Sequence, residues 1–432
     1  MKQFYFLLFF VVLVLGTACE KDSCEQTWTQ VVAVPVTLDR ATLQAEIGLE
    51  PAIDLCLGGG IYAYGDYVFM NRLNEGYHIL DNSNPEQPQN VAFLRIPGST
   101  QMAFIEGKLI SNSYADLVTL EMNGIQSAEL LTSTPNFLLD ENTLPVKNGQ
   151  VVIGYEEQEV EFTQTCDGRI SGQWAGCLDC DLFSTDLSPN QSSSAGGFGT
   201  PSVNTAGSIT RMAFNGNILY VIGSSRLSTY SLENDLLVNT NNQQQTWGME
   251  TVIVRDGYLY IGAQSGMHIY ELNDAQNPTF LSTFTHFTGC DPVTVEGNIA
   301  VVTVRDGRTC GFTEENVMFI LDISDKSNPE ELSRVNMNNP RGVSLFNGII
   351  YLCDGDAGLK VFDLGAGPVD QVQQRQRQVF TDDSMTDVAV LPYPAGNILL
   401  TVGDEHLSQF KIDNSGTLTR ASKVSATSCA QP

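Results

Sequence analysis

The sequence is poor in histidine and tryptophan and carries far fewer basic than acidic residues. Of its 432 residues only four are histidine and three are tryptophan, whereas 22 Lys and Arg oppose 50 Asp and Glu, a formal net charge of −28. So acidic a surface repels nucleic acid and anionic lipid headgroups, which excludes nucleic acid as a partner. General solubility explains this charge more simply than an acidic docking surface does.

The signature motifs of several enzyme classes are also missing. The sequence contains no G-x-S-x-G, H-E-x-x-H or G-x-x-x-x-G-K-[ST] segment. His78 and His268 occupy the same place in the repeat described below, so we predict a structural role for both. The sequence therefore assigns no catalytic residue, no metal site and no cofactor.

The chain lacks an apolar run long enough to cross a bilayer as an ordinary helix, and its one strongly apolar segment lies at the N-terminus. Residues 1–18 contain one basic residue and an apolar run from Phe4 to Leu15, and small residues then lead to Cys19. This is the pattern of a secretory signal peptide. Small residues before a cysteine resemble the lipobox of bacterial lipoproteins, although Gly16 stands where that motif usually has Leu. The resemblance implies lipidation of Cys19, and simple secretion is the alternative.

The chain is rich in a repeated strand pattern, and residues 254–284 contain one complete copy of it. Apolar runs there alternate with turn signals at 256–257, 265–266 and 277–278, which predicts consecutive β-strands. The glycine that opens the second strand recurs seven times: Gly65, Gly107, Gly216, Gly257, Gly297, Gly348 and Gly396. With one exception the intervals are about 40 to 50 residues, a period typical of propeller blades when the unit consists of strands.

The sequence therefore predicts an all-β fold, a β-propeller of four-stranded antiparallel blades. One such sheet cannot bury both faces alone, so neighbouring sheets must stack, and a closed ring leaves only short edges. We expect seven blades; six or eight stay open because the gap between Gly107 and Gly216 could hold a degenerate unit. The chain lacks the repeated Trp motif of quinone-cofactor propellers and the Trp-Asp ending of WD40 blades.

The predicted organisation has four parts. Residues 1–18 are the signal peptide, 19–57 a lipid-anchored tether and N-terminal segment, and 58–432 the propeller, with a Cys-containing loop insertion at about 135–204. In the N-terminal segment we predict a strand over Trp28–Val36, which could complete the last blade, and a helix over Leu38–Ile47 with Thr37 as its cap. In the insertion we predict a strand over 150–160, and a mobile loop over 165–205 because that stretch is rich in Ser, Gly and Asn.

Acidic and amide side chains recur before proline at the ends of third strands, for example in 81–85 and 322–329. Calcium binding would use such oxygens. Turn formation explains them better, because Asp and Asn bond to the backbone two residues on and proline fixes the next φ.

Ten cysteines in an exported chain predict disulfides. In an up-and-down blade, the loop between strands two and three shares a rim with the loop that leads into a blade. Cys310 lies in the enlarged loop of that kind in the fifth repeat and Cys290 lies just before the same repeat, so we predict that they pair. We also predict a disulfide between Cys166 and either Cys177 or Cys180, and a buried thiol at Cys353, which ends an apolar strand.

The loops of that rim converge on the mouth of the ring, where propellers usually bind partners. We call it the axial rim and predict that it carries the binding residues, against the alternative that loops are simply polar. The candidates are Arg72, Arg226, Trp247, Arg305, Asp306, Arg308, Arg341, Asp354, Asp356 and His406.

Several segments resemble the LVIVD-repeat proteins, a family of exported bacterial β-propellers that are often lipoproteins. The resemblance rests on 319–324 followed by Asn328-Pro329, on its echoes at 77–85 and 360–363, and on the contexts of Cys290 and Cys310. The second and third repeats lack the Asp of the motif. The resemblance implies the fold and an exported location, and it carries over no activity.

We therefore predict a non-enzymatic binding or scaffold propeller, anchored by lipid in the outer membrane and facing the periplasm or the outside. Its partner would be an envelope protein, a glycan or a small molecule. The alternative is an envelope hydrolase or lyase that acts on polysaccharide or peptide through carboxylates of the axial rim. Such an enzyme needs two carboxyl groups about 5 to 10 Å apart, and Asp306, Asp354, Asp356 and Asp404 are its candidates.

Overall fold

The computed structural model describes residues 25–57, 60–105, 107–137, 146–167, 169–174, 177–182, 211–223, 226–244, 248–286, 292–306, 315–365, 368–393 and 396–428. Within these ranges most of the chain is β-strand. No helix in them is both long and apolar enough to span a membrane. The chain forms two compact units. The insertion unit is Met1–Thr37, Asn142–Gln150 and Gly154–Gly197, and the propeller unit is Leu38–Glu141, Val151–Ile153 and Phe198–Pro432.

The first elements lead into two blades and the insertion. The N-terminal segment contains β1 (Gln26–Asp39), the helix α1 (Arg40–Ala45), β2 (Gly48–Pro51) and β3 (Cys56–Leu57). Blade 1 contains β4 (Ile61–Tyr64), β5 (Tyr67–Arg72), β6 (Gly76–Asp81) and β7 (Gln89–Arg95). Blade 2 contains β8 (Met102–Ile105), β9 (Lys108–Ser113), β10 (Asp116–Asn123) and β11 (Ser127–Thr134). The insertion contains β12 (Gln150–Gln164), β13 (Ile170–Trp174) and β14 (Cys177–Leu182).

Five further blades follow. Blade 3 contains β15 (Met212–Asn215), β16 (Ile218–Ile222), β17 (Arg226–Glu233) and β18 (Leu236–Gln244). Blade 4 contains β19 (Met249–Arg255), β20 (Tyr258–Ala263), β21 (Gly266–Glu271) and β22 (Thr279–Thr285). Blade 5 contains β23 (Val293–Glu296), β24 (Ile299–Val304), β25 (Val317–Asp322) and β26 (Glu330–Asn336). Blade 6 contains β27 (Val343–Phe346), β28 (Ile349–Cys353), β29 (Leu359–Asp363), a 3₁₀ helix (Val369–Arg375) and β30 (Gln376–Phe380). Blade 7 contains β31 (Met385–Tyr393), β32 (Gly396–Gly403), β33 (His406–Ile412) and β34 (Leu418–Ser425), and β35 (Thr427–Ser428) ends the series.

Blade 4 shows how the sequence produces one sheet of the stack. Its first hairpin turns at Asp256 (φ 50°) and Gly257 (φ 79°), the left-handed pair that a two-residue turn between twisted strands requires. Successive residues of β20 then point to opposite faces. Leu259 and Ile261 pack against blade 3, whereas Tyr260 packs against blade 5. Both faces of the strand are therefore buried, because each blade lies between two others.

The sheets of the propeller unit close into a ring of seven blades in the part of the chain described. The first strand of each blade contacts the first strand of the next, and β31 of blade 7 contacts β4 of blade 1. A shared core joins these two blades, with Ile61 and Val68 on one side and Leu400 on the other. The predicted fold class is thus confirmed. The long interval between the second and third repeats contains β12, β13 and β14, which form a separate sheet and not a blade.

The two ends of the propeller meet at one seam. Strand β2 adds a fifth strand to blade 1 by pairing with β7. Strand β3 pairs with β35 in parallel, with Cys56 opposite Thr427. The amide of Thr427 donates to the carbonyl of Leu55 (3.2 Å). The ring is therefore fastened by residues from both ends of the chain.

The insertion unit contains a four-stranded sheet of order β1-β12-β13-β14. Its core consists of Val32, Val34, Val160, Phe162, Ile170 and Trp174. Three expectations from sequence differ here. Strand β1 joins this sheet and not the last blade, and β13 and β14 occupy a stretch predicted as loop. The helix is capped by Asp39, whose Oδ1 accepts from the amide of Thr42 (2.9 Å), and not by Thr37.

Candidate functional site

The axial rim is the end of the ring where first strands begin and where the loops between second and third strands turn. Gly355, in such a loop of blade 6, forms a β-bridge with Met385 at the start of blade 7. The amide of Gly342, just before β27, donates to the carbonyl of Thr386 (3.0 Å). The two kinds of loop therefore interlock at this end, as the blade topology predicts.

Asp354 lies on the axial rim but is fully buried. Its Oδ1 accepts hydrogen bonds from the amides of Asn338 (2.9 Å) and Asn339 (2.8 Å). Its Oδ2 forms an ion pair with Nζ of Lys360 (2.5 Å). This carboxylate holds the loop of blade 6 in place and is not open to a ligand. Asp356, two residues later, is exposed.

The structure distributes the other predicted residues over the same rim. Nε of Arg72 lies 2.9 Å from Oε1 of Glu75. The carbonyl of Arg341 accepts from Oγ1 of Thr303 (2.9 Å), which links blade 6 to blade 5. Arg226 begins β17, Arg305 follows β24, and Asp306 is exposed. Trp247, Arg308, Cys19, Cys290 and Cys310 lie outside the described residues.

His406 is not a simple surface residue. Its Nδ1 lies 3.0 Å from Oδ2 of Asp383, and the Asp383 side chain is only 5% exposed. Burial raises the pKa of Asp383, against the opposing charge of His406. Sequence reasoning missed Asp383, because its partner lies 23 residues away across a loop and two strands.

Four charged side chains mark the starts of first strands: Arg211, Glu250, Arg341 and Asp387. Only Arg341 was predicted from sequence. They belong to blades 3, 4, 6 and 7 and alternate in sign around the ring. Burial lowers the pKa of Arg211, and the negative charge of Glu250 opposes that shift. The sequence feature that could have identified these residues is a charged side chain at the start of a mainly apolar strand.

Asp387 occupies the tightest place of this group. It is 4% exposed, and a Cβ on Gly342 would lie 2.4 Å from its Oδ1. Burial and, more weakly, the Asp387 charge raise the pKa of the Cys353 thiol. The same two causes contribute to the raised pKa of Tyr62 in blade 1. The charge of Asp387 thus acts on groups of blade 6 and of blade 1, in both cases more weakly than burial does.

A cavity of about 370 Å³ lies among the first strands of blades 4 to 7. Its polar lining includes Arg255, Thr294, Ser344 and Asn397, and its apolar lining includes Ile253, Phe346 and Val390. Nε of Arg255 donates to the carbonyl of Val295 (3.3 Å), which fixes the guanidinium across one end. A volume of this size with mixed lining suits a small ligand or the tip of a larger one.

Three cysteines and two histidines of the described residues have structural roles. Cys353 is a free, buried thiol, as predicted, whereas Cys56 and Cys166 are disulfide-bonded. His78 is fully buried and His268 is 9% exposed. Burial lowers the pKa of His78 to about 4. Within the described ranges, no group of three or more His, Cys, Asp or Glu side chains is placed to hold a metal ion.

The fold and its rim define a β-propeller, and comparison with known proteins agrees. The LVIVD repeat model matches residues 59–92, in blade 1, and 313–337, in blade 5. The predicted resemblance to the LVIVD-repeat proteins is confirmed at these two segments. No curated protein matches the chain.

Two solved structures illustrate the similarity of fold. A protein from Lactobacillus plantarum is 12% identical with a TM-score of 0.52, and the match covers 89% of this chain and 97% of that one. A provisionally named 6-phosphogluconolactonase from Bacteroides fragilis is 10% identical with a TM-score of 0.51, with the same coverage of 89% and 97%. At sequence identities this low, the similarity shows only that the folds are alike.

Proposed function

We propose that this chain is a non-enzymatic binding or scaffold propeller of the bacterial cell envelope, held at the outer membrane by a lipid on Cys19. The observation that carries the proposal is the set of alternating charges at the starts of the first strands. Strands β19, β27 and β31 bear Glu250, Arg341 and Asp387 at or near their starts, and residues further along the same strands line the 370 Å³ cavity. A rigid ring that ends in fixed charges is suited to recognition, since its groups need no reordering on binding.

The alternation of sign favours a partner whose contacting group itself carries both charges. Arg341 would attract a carboxylate, whereas the negative charge of Glu250 would attract an ammonium or guanidinium group. A segment of an envelope protein supplies both more readily than a neutral glycan does.

The alternative is a hydrolase or lyase with paired carboxylates. One of its four candidate residues is not available for catalysis. Asp354 already accepts two backbone amides and pairs with Lys360. It is therefore not placed to give or take a proton at a substrate. Asp306, Asp356 and Asp404 are exposed and remain the carboxylates that this alternative would use.

A binding screen on the chain from Glu20 onward tests the proposal. Envelope peptides, glycans and zwitterionic metabolites would be added one by one, with the melting temperature and product formation measured in parallel. A true ligand should raise the melting temperature, and Ser344→Phe, which fills the cavity, should remove that rise. Lys411→Ala, an exposed change away from the axial rim, is the matched control. Turnover of any glycan or peptide would establish the enzyme alternative, and ligands indifferent to both Ser344→Phe and Arg341→Ala would refute this site.

The lipid anchor is tested separately in cells. Radiolabelled fatty acid should be incorporated into the full chain, and Cys19→Ala should abolish the label and release the protein from the membrane fraction. A Cys19→Ala chain that stays in that fraction would show that another feature holds it there.

A further inference from the structure

The cavity among the first strands has one end at the rim opposite the axial rim. Of its lining residues, Ile253 and Arg255 lie at the end of β19, and Phe346 ends β27. Asn397 stands near the start of β32. First strands begin at the axial rim and end at the opposite one, so these residues mark the opposite mouth. We propose that this mouth binds a small organic carboxylate with an apolar body, held by Arg255.

Arg255 is an exposed basic side chain without an acidic partner in the described ranges. The chain has 50 acidic against 22 basic residues, and many of its basic side chains are paired with a carboxylate. Arg95 with Glu50 (2.6 Å) and Arg420 with Asp382 (2.7 Å) are examples. The positive charge of Arg255 is therefore left to attract an anion from outside the protein.

The guanidinium of Arg255 is oriented and still able to bind. Its Nε donates to the carbonyl of Val295 in blade 5 (3.3 Å), which uses one of the five N–H donors of the group. The two Nη groups remain, and their planar fork matches the two oxygens of a carboxylate. The geometry therefore favours a carboxylate over an anion of another shape.

No carboxylate of the described residues competes for this charge. Arg255 is the only charged residue of the lining. Glu296 ends the neighbouring strand β23, but its two oxygens accept from the amides of Asn347 and Gly348 (2.8 Å each). Those bonds hold the Glu296 carboxylate on the first hairpin of blade 6. The mouth of the cavity thus keeps the positive charge of Arg255.

The remaining lining suits an apolar body with few polar groups. Ile253, Phe346 and Val390 are partly buried walls of the cavity, and an aliphatic or aromatic body would cover them, whereas inorganic phosphate would not. Oγ1 of Thr294 accepts from the amide of Leu345 (3.3 Å), so its own hydrogen is available to a ligand. A volume of about 370 Å³ is at the small end of ligand pockets, which span about 300 to 1,000 Å³.

The charge of the whole protein favours a ligand with a single negative charge. A net charge of −28 repels anions, and it repels a polyanion more strongly than a monocarboxylate. The proposed function rests on Glu250 and Arg341, which stand at the opposite ends of the same strands. The carboxylate site therefore goes beyond that function and shares only the cavity with it.

Titration calorimetry on the full chain tests the site. The probes are hexanoate and phenylacetate, each compared with the alcohol of the same body, hexan-1-ol or 2-phenylethanol. We expect each carboxylate to bind about ten- to a hundredfold more tightly than its alcohol, because its charge is hydrogen-bonded. Inorganic phosphate should bind more weakly than either carboxylate. Equal affinities for carboxylate and alcohol, no binding of either carboxylate, or tighter binding of phosphate would each overturn the proposal.

Substitutions separate the charge of the site from its shape. Arg255→Gln should weaken the carboxylates to the affinity of the alcohols and leave the alcohols unchanged, whereas Arg255→Lys should keep part of the preference. Ser344→Phe should remove binding of all these organic probes. Arg334→Gln, the same change at a 45% exposed, ion-paired side chain of β26, is the matched control and should change none of the affinities.

The same variants decide whether Arg255 holds the carboxylate. Melting temperatures without ligand show that each variant is folded, which is expected at Arg255 because its side chain is exposed. A carboxylate that binds the folded Arg255→Gln chain as tightly as the natural chain refutes the site. A partner screen that fails at the axial rim leaves these affinities unchanged, so failure of the proposed function is distinguishable from failure of this one.

Discussion

On the rim opposite the axial rim, Asp side chains bond to the backbone of their own turns, whereas on the axial rim the side chains of Asp354, Asp383 and Asp387 are buried. Oδ1 of Asp81 accepts from the amide of Ser83 (2.9 Å), and Oδ1 of Asp322 from that of Ser324 (2.8 Å). Those side chains form the turns that the Asn-Pro pattern predicts. Asp354 and Asp383 instead bond to groups outside their own turns, Asp354 to the amides of Asn338 and Asn339 and Asp383 to His406.

The pKa values of Asp81, Asp322 and Asp383 show this difference. Hydrogen bonds from Ser83 and Ser324 lower the pKa of Asp81 and of Asp322. Desolvation raises the pKa of Asp383. Asp81 and Asp322 are therefore local turn formers, whereas Asp383 stands where its charge is costly. Buried charge of that kind is found where a surface is organised for recognition more often than where it only closes a turn.

Removal of the Asp354 carboxylate should give the largest effect. Asp354→Ala leaves Lys360 and two amides without their acceptor, and we expect a loss of about 3 to 5 kcal/mol in the free energy of unfolding. Asp356→Ala, two residues away and exposed, should change it by less than about 0.5 kcal/mol. Urea denaturation of the two variants measures both. Equal losses would mean that the loop of blade 6 is not held by Asp354.

A pair of glycine substitutions should give the next largest effect. Gly358, on the axial rim, has φ +78°, and a Cβ there would lie 1.8 Å from the carbonyl oxygen of Phe380. Gly297, in a hairpin of the opposite rim, has φ +58° with no heavy atom within 4 Å. Gly297→Ala should cost about 1 kcal/mol from backbone strain alone, and Gly358→Ala at least about 2 kcal/mol. Melting curves would contradict the comparison if the order were reversed.

The pH dependence of Asp383 should have the opposite sign to that of the turn carboxylates. Because its folded pKa is raised, its contribution to stability is complete below the unfolded value near 4 and is lost as pH rises through the folded pKa. Asp383→Asn removes that loss. Relative to the natural chain, the variant should therefore become more stable as pH rises from about 3.5 to 6.5. A stability difference that stays constant across this range would show that Asp383 does not titrate in the folded state as proposed.

The turn carboxylates should give the smallest effect. Asp322 has a lowered pKa, so its contribution exists above the unfolded value and is lost as pH falls through the folded one. Asp322→Ala should cost less than about 1 kcal/mol at pH 7 and almost nothing near pH 2, because the side chain is only partly shielded from water. Thermal melts at the two pH values, with Ser324→Gly as a control that keeps the amide, would separate the hydrogen bond from a general change in the turn.

The fold was predictable because a local pattern specifies it. Turn residues such as Asp256-Gly257 and alternating apolar residues such as Leu259, Tyr260 and Ile261 fix each strand, and the period fixes the ring. The separate sheet of the insertion unit was not predictable in the same way. β13 and β14 are short and polar, so their sequences do not indicate strands clearly. β1 pairs with a strand more than a hundred residues away, so no local pattern identifies its partner.

The candidate site was predictable only in part, and for a related reason. The topology identified the axial rim, and Arg341 and His406 lie there. The sequence does not show whether a side chain on the rim can bind a ligand or is already bonded within the protein. Asp354 is an example, because it bonds to the amides of Asn338 and Asn339. The sequence did not point to Arg211, Glu250 and Asp387, because the candidates were loop residues and these three stand at the starts of the strands that follow the loops.

The seam between β3 and β35 also sets the timing of folding. Leu55 and Thr427 are 372 residues apart in sequence, so their contact cannot form until nearly the whole chain has been synthesised. Until then, the faces of blades 1 and 7 that later cover each other are exposed to solvent and to other nascent chains. Late, long-range closure of this kind makes folding slow and leaves intermediates prone to aggregation. A chain that ends before Thr427 keeps the shared core of blades 1 and 7 but loses the pairing of β3 with β35, and it should therefore close its ring more slowly although every blade is present.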